Sequence, residues 1–92
     1  MKKIYKYQLE VTDYQDIKVP VGAEFISVVS QRNDLVAYFL VDPTESDMLT
    51  KTFHIIGTGH PIYDNDLIEY KFVGTYLTHG DNLVWHVFLK TS

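Results

Sequence analysis

The sequence predicts an all-β fold, a small antiparallel β-sandwich or partly open barrel of six to seven strands forming one domain over residues 1–92. Three observations carry this expectation. Apolar and polar residues alternate with period two in separate short runs, as in strands with one covered face. Aromatic and β-branched residues fill those runs, while Pro, Gly, Asn and Asp fill the gaps between them. Hydrophobic residues make up 46% of the 92 residues and charged residues 22%, a globular balance on a chain that can build one core but not two. A domain of this length has a radius of gyration of about 12 Å.

The first strand is read from Tyr5, Tyr7, Leu9 and Val11, which alternate with Lys6, Gln8 and Glu10. A short extended piece, Ile17 to Val19, stops at Pro20, and Gly22 permits a turn before a strand over Phe25 to Gln31. Arg32-Asn33-Asp34 links that strand as a hairpin to Leu35 to Val41, which is apolar throughout and should be covered on both faces, as at the centre of a sandwich or at a subunit interface. A homo-oligomer, most simply a dimer, is the corresponding expectation. Asp42-Pro43 ends the strand. Thr44 to Thr50 fits either one helical turn capped by Thr44, with Glu45 and Asp47 near its N-terminus, or a solvated loop. Lys51 to Ile56 forms a further strand, closed by Gly57-Thr58-Gly59-His60-Pro61, and Ile62 to Ile68 is a turn-rich connection. Tyr70 to Thr78 and Leu83 to Lys90 flank His79-Gly80-Asp81-Asn82 as a closing hairpin. The alternation assigns Tyr5, Leu9, Val28, Val36, Leu40, Ile55, Leu83, Trp85 and Val87 to the core.

Charge and composition narrow the functional classes. Twelve acidic against eight basic residues give a net charge of -4, the wrong sign for binding duplex nucleic acid. The longest apolar run, Leu35 to Val41, is far short of the roughly 20 residues of a membrane-spanning helix, so no membrane partner is expected. Met1-Lys2-Lys3-Ile4 is not followed by the apolar segment of a secretory signal. The absence of cysteine excludes disulfides and thiolate chemistry and favours the cytoplasm.

Four histidines, His54, His60, His79 and His86, are the first candidates for chemistry, yet their spacing matches neither a helical metal pair nor a zinc finger. His54 and His86 have the parity of polar strand faces, where they either converge on a ligand or stand as ordinary surface residues. Gly57-Thr58-Gly59-His60-Pro61 also has two readings. Its glycines can bring backbone N–H groups close to an anion, or they can simply form a tight turn that ends a strand. It lacks the third glycine of a dinucleotide site and the Gly-Lys-Ser/Thr of a phosphate loop. Glu45 with Asp47 and Asp64 with Asp66 read as solvated loop residues rather than calcium ligands. No Gly-x-Ser-x-Gly elbow or other nucleophile motif is present. Seven tyrosines exceed what so small a core can bury with every hydroxyl satisfied, so several should be partly exposed for stacking or docking, or for aromatic pairing on the sheet surface.

Several segments of the chain resemble a family of small, uncharacterised proteins of tailed bacteriophages and prophages: Lys3 to Leu9, Val19-Pro20-Val21-Gly22-Ala23, Leu40-Val41-Asp42-Pro43, Phe53 to Ile62, and Gly74-Thr75-Tyr76 with Leu83 to Phe88. Gly57-Thr58-Gly59-His60-Pro61 and Leu83-Val84-Trp85-His86-Val87-Phe88 are the most specific pieces. The resemblance implies a phage-encoded protein acting in the cytoplasm of an infected bacterium, and it brings no catalytic motif. The functional expectation is a non-enzymatic, cofactor-free binding protein that counters host defence by capturing a small anionic ligand such as a cyclic nucleotide. Gly57, Thr58, Gly59, His60, His86 and His54 would form that site, with Tyr76 stacking on the base. Because the chain is acidic, such a site would need Lys51, Lys71 or Lys90 beside it. The alternative is a protein–protein inhibitor of a host protein. A metal-assisted or acid–base enzyme built from the four histidines is the third reading.

Overall fold

The computed structural model describes residues 1–78 and 83–91. Seven strands run in chain order: β1 (Lys3–Leu9), β2 (Tyr14–Pro20), β3 (Glu24–Gln31), β4 (Asp34–Val41), β5 (Met48–Gly57), β6 (Tyr70–Thr78) and β7 (Leu83–Lys90). All pairings are antiparallel and form two sheets, of order β1-β4-β3 and β2-β5-β7-β6. The sheets stack as an open sandwich that is not closed into a barrel, and no helix occurs among the described residues. The Cα envelope is a slab of 42 × 32 × 16 Å. Its radius of gyration of 13.7 Å exceeds the compact-sphere expectation because a two-layer slab leaves two broad outer faces uncovered.

The core is the alternate set of side chains between the sheets. Leu35, Ala37, Phe39 and Val41 of β4 face Phe53 and Ile55 of β5 and Val87 and Leu89 of β7, with Leu9, Val19, Val28 and Tyr76 completing the cluster. The expected core needs correction at four residues. In β4 the inward parity belongs to the odd-numbered residues, so Val36 and Leu40 lie on the outer face; a strand apolar at every position does not declare which face is inward. Val36 is nevertheless 4% exposed, because β4 is the middle strand and Gln8 and Val29 flank it in register. That burial is achieved within one chain, without a second copy. Tyr5 and Leu83 have inward parity, but Tyr5 lies on the edge strand β1 and Leu83 at the first position of β7, and both are exposed.

Of the two readings of Thr44 to Thr50, the helical turn does not form: the chain is a turn and loop as far as Asp47 and strand from Met48. Asp42 Oδ1 accepts hydrogen bonds from both the N–H and the hydroxyl of Thr44, which holds the segment as a turn and keeps the Asp42 carboxyl below the usual carboxylate range. Met48 and Leu49 then join β5 by pairing with Pro20 and Val19. Pro20-Val21-Gly22-Ala23 is a turn closed by Ala23 N–H to Pro20 O, with Gly22 at φ 86° in the position of a type II turn that requires it. The β3–β4 hairpin turns through Arg32 and Asn33, both at positive φ as in a type I′ turn. The expected turn His79-Gly80-Asp81-Asn82 lies outside the described residues.

One side of the sandwich is pinned where the edges of β3 and β6 approach. Each edge carries a bulge, at Phe25/Ser27 and Phe72/Gly74, which bends the strands toward each other. The Ser30 hydroxyl donates to Leu77 O at 3.2 Å, and the Tyr76 hydroxyl donates to the carbonyl of Asn33 in the hairpin turn of the other sheet. A Cβ placed on Gly74 would lie 2.3 Å from Cγ2 of Val28, a stiff β-branched side chain.

Two outcomes follow from this corner. Gly74→Ala lowers stability by about 1–3 kcal/mol in urea unfolding, and adding Val28→Ala to it costs less than the sum of the single changes because the clash disappears. Burial first, and Asp34 second, push the Tyr76 hydroxyl above its ordinary value of 10.0. The phenol is therefore deprotonated more readily in the unfolded chain, so stability is present below pH 10 and is lost as pH rises through the folded-state value. Tyr76→Phe removes this component, giving a flatter alkaline stability profile measured by chemical denaturation.

Candidate functional site

The loop after β5 is a type II turn. His60 N–H donates to Gly57 O at 3.1 Å, and Gly59 has φ 88° at the position where that turn needs glycine. Thr58 N–H donates to Val84 O at 3.1 Å, which ties the loop to the start of β7. The N–H groups of Thr58 and His60 are thus engaged internally and do not form an anion nest. Gly57 has a different reason to be glycine. Its missing Cβ leaves room for two rings, since an added Cβ would meet His60 Cε1 and Trp85 Cζ3 at 3.0 Å each. His60 folds back over Gly57 and meets Trp85 edge-on, with ring centroids 6.0 Å apart.

The expected site residues are partly brought together. β7 pairs directly with β5, placing His86 opposite Ile56 and Trp85 opposite Gly57. His86 Nε2 and the Thr58 hydroxyl share a hydrogen bond of 2.7 Å. His60 lies between two shallow clefts, one of about 280 Å³ lined by Gly57, Thr58, Leu83, Val84 and Trp85, the other of about 290 Å³ lined by Asp13, Tyr14, His54, Pro61 and Asp66 among others. Lys51, Lys71 and Lys90 line neither cleft, and the second carries two carboxylates. Tyr76 is not an available stacking ring: it is buried in the core with its hydroxyl engaged by Asn33. His79 lies outside the described residues, among which no group of three or more His, Cys, Asp or Glu could hold a metal ion. Among the described residues no helix is long and apolar enough to cross a membrane.

His54 belongs to a different feature. It faces outward from β5 as its parity requires, yet it is 8% exposed because Tyr14 stacks flat upon it, with centroids 3.9 Å apart and planes 2° from parallel. Its Nδ1 lies 2.5 Å from the Asp13 carbonyl oxygen, which only accepts, so the ring proton resides on Nδ1. In register across the whole sheet, Tyr14 of β2 pairs with His54 of β5, His54 with Phe88 of β7, and Phe88 with Phe72 of β6. Tyr70 closes on this row, 6.3 Å from Tyr14 and 5.9 Å from His54, and Phe72 meets Phe88 edge-on at 5.7 Å. Five rings therefore form one band across the outer face of the four-stranded sheet, with Tyr14 52% and Phe72 56% exposed. Burial, with Tyr14, Asp16 and Glu69 adding to it, pushes the Tyr70 hydroxyl above its ordinary range. The sequence signal for the band is the aromatic character of Phe72 and Phe88 at the parity where a solvated strand face carries polar residues.

The single tryptophan reports on the turn. Gly57→Ala and His60→Ala each separate the imidazole from Trp85 and shift the tryptophan emission in the same direction. Gly59→Ala leaves the emission unchanged but costs about 1–2 kcal/mol of stability through the left-handed backbone. An unaltered emission in Gly57→Ala would contradict this packing.

No curated protein and no solved structure matches the chain. A family described as a domain of unknown function, DUF7352, matches it over residues 1–92, and the chain belongs to that family.

Proposed function

We propose that the protein is a non-enzymatic binding module that docks a protein partner through the outer face of its four-stranded sheet. The observation that carries this reading is the band Tyr14, His54, Phe88 and Phe72, continuous in register over all four strands and joined by Tyr70. Aromatic rings give large contact area at small entropic cost, and clusters of them dominate protein interfaces. A band of this kind, with Tyr14 and Phe72 exposed on the two edge strands of the sheet, marks an interaction surface rather than an enclosed ligand pocket. Capture of a cyclic nucleotide is supported less well: the loop N–H groups of Thr58 and His60 are engaged, Tyr76 is buried, and the neighbouring cleft is acidic. On the resemblance of the loop and β7 segments to phage proteins, we further propose that the partner is a host defence protein met in the cytoplasm of an infected bacterium.

The reading is tested by comparing the proteins bound by the wild type, by Tyr14→Ser/Phe72→Ser, and by Val29→Ser on the outer face of the other sheet. A stoichiometric partner is retained by the wild type and Val29→Ser and lost from the double variant. Retention by the double variant overturns the reading. So does calorimetry in which a cyclic nucleotide binds more tightly than about 10 μM, roughly -7 kcal/mol, with the affinity abolished by His60→Ala.

A further inference from the structure

Four strands border the two sheets, and they differ in how their outer edges are protected. β3 and β6 are bulged and turned toward each other. β2 ends in Pro20, which has no N–H, and its Gln15 side chain folds back to exchange two hydrogen bonds with the backbone of Glu10. β1 is different. It pairs with β4 in unbroken register from Lys3 to Leu9, and its other side has no strand, bulge or proline among the described residues.

That edge is also positively charged in an acidic protein. Lys2, Lys3 and Lys6 are three of the eight basic residues of a chain whose net charge is -4. Lys6 points to the outer face, where it lines a groove of about 220 Å³ with Gln8, Gln31, Arg32, Asp34 and Val36. On the inner face Tyr5 is 37% exposed beside Tyr7, which packs edge-on against Phe39 at 5.6 Å. The uncovered tyrosine lies where an added strand would place an apolar side chain.

We infer that the free edge of β1 is a strand-addition site for an extended acidic segment of a partner protein. Main-chain hydrogen bonds to an open edge supply affinity, and alternate side chains supply specificity. Acidic residues of the added strand face Lys6 and Arg32 on the outer side, and the intervening apolar residues pack on Tyr5 and Tyr7. A second copy of the chain fits poorly, because antiparallel pairing of β1 with itself over its full length, Lys3 opposite Leu9, sets the Lys6 side chains of the two copies directly opposite one another, and like charges across a ladder are unfavourable. Lysines on an edge deter self-association, and the same lysines select an acidic strand. This inference does not depend on the aromatic band.

The test uses the full chain and two short blocked peptides, one alternating glutamate with valine and the other lysine with valine, with amide exchange followed by NMR. The acidic peptide binds, protects amides of Lys3 to Leu9, and is released at about 1 M salt, where charges are screened within about 3 Å. Lys6→Glu keeps its folded spectrum, weakens the acidic peptide at least about fivefold and strengthens the basic one. Equal binding of both peptides, binding of neither, protection mapping to the Tyr14–Phe72 band, or a dimer that protects β1 without added peptide would each overturn the inference.

Discussion

Phe39 is the contact on which the rest of the sandwich depends. It is fully buried in the middle strand of the three-stranded sheet, and its ring meets Tyr7 of β1 at 5.6 Å, Phe25 of β3 at 5.5 Å and Phe53 of β5 at 6.5 Å, each close to edge-on. Such pairs contribute about 0.5–1.5 kcal/mol each beyond simple burial. More consequentially, one side chain fixes the inward parity of strands in both sheets. Once Phe53 faces Phe39, His54 faces outward, and the register of β2, β5, β7 and β6 aligns Tyr14, Phe88 and Phe72 with it. The proposed docking face is the reverse side of the core.

The strands and the β3–β4 and β6–β7 hairpins were legible because alternation and turn residues are local properties, whereas the pairings of β1 with β4, β2 with β5 and β5 with β7 join segments distant in sequence. Gly22, Gly59 and the Arg32-Asn33 turn sit where the chain needs positive φ. Parity was legible only where polar residues break the pattern. β1 and β7 carry such breaks, whereas β4 is apolar at every position from Leu35 to Val41 and its face is decided by the opposite sheet. Thr44 to Thr50 could be read as a helical turn because the competing hydrogen bonds from Asp42 and the pairing of Met48 with Pro20 are visible only in the folded chain.

The candidate site divides along the same line. Sequence reading gathered Gly57, Thr58, Gly59, His60 and His86 into one neighbourhood, and the structure does bring them together, through the pairing of β5 with β7 and the Thr58–His86 hydrogen bond. It could not reveal what the glycines accommodate. Gly57 makes room for the His60 and Trp85 rings, and Gly59 forms the turn, so both glycines have structural roles. The aromatic band escaped notice because its members come from four strands separated in sequence, and only register places them side by side.

On the proposed function the outer aromatic band serves binding and adds little to stability, whereas the inner rings hold the fold. Equilibrium unfolding of Phe72→Ser against Phe39→Ala tests this most directly. Phe72 is 56% exposed and loses chiefly its cross-strand contact with Phe88, so its replacement should cost no more than about 1 kcal/mol. Phe39→Ala opens the core and should cost about 3–5 kcal/mol. A loss of about 3 kcal/mol or more at Phe72 would mean that the band is a structural face of the sandwich and not a docking surface.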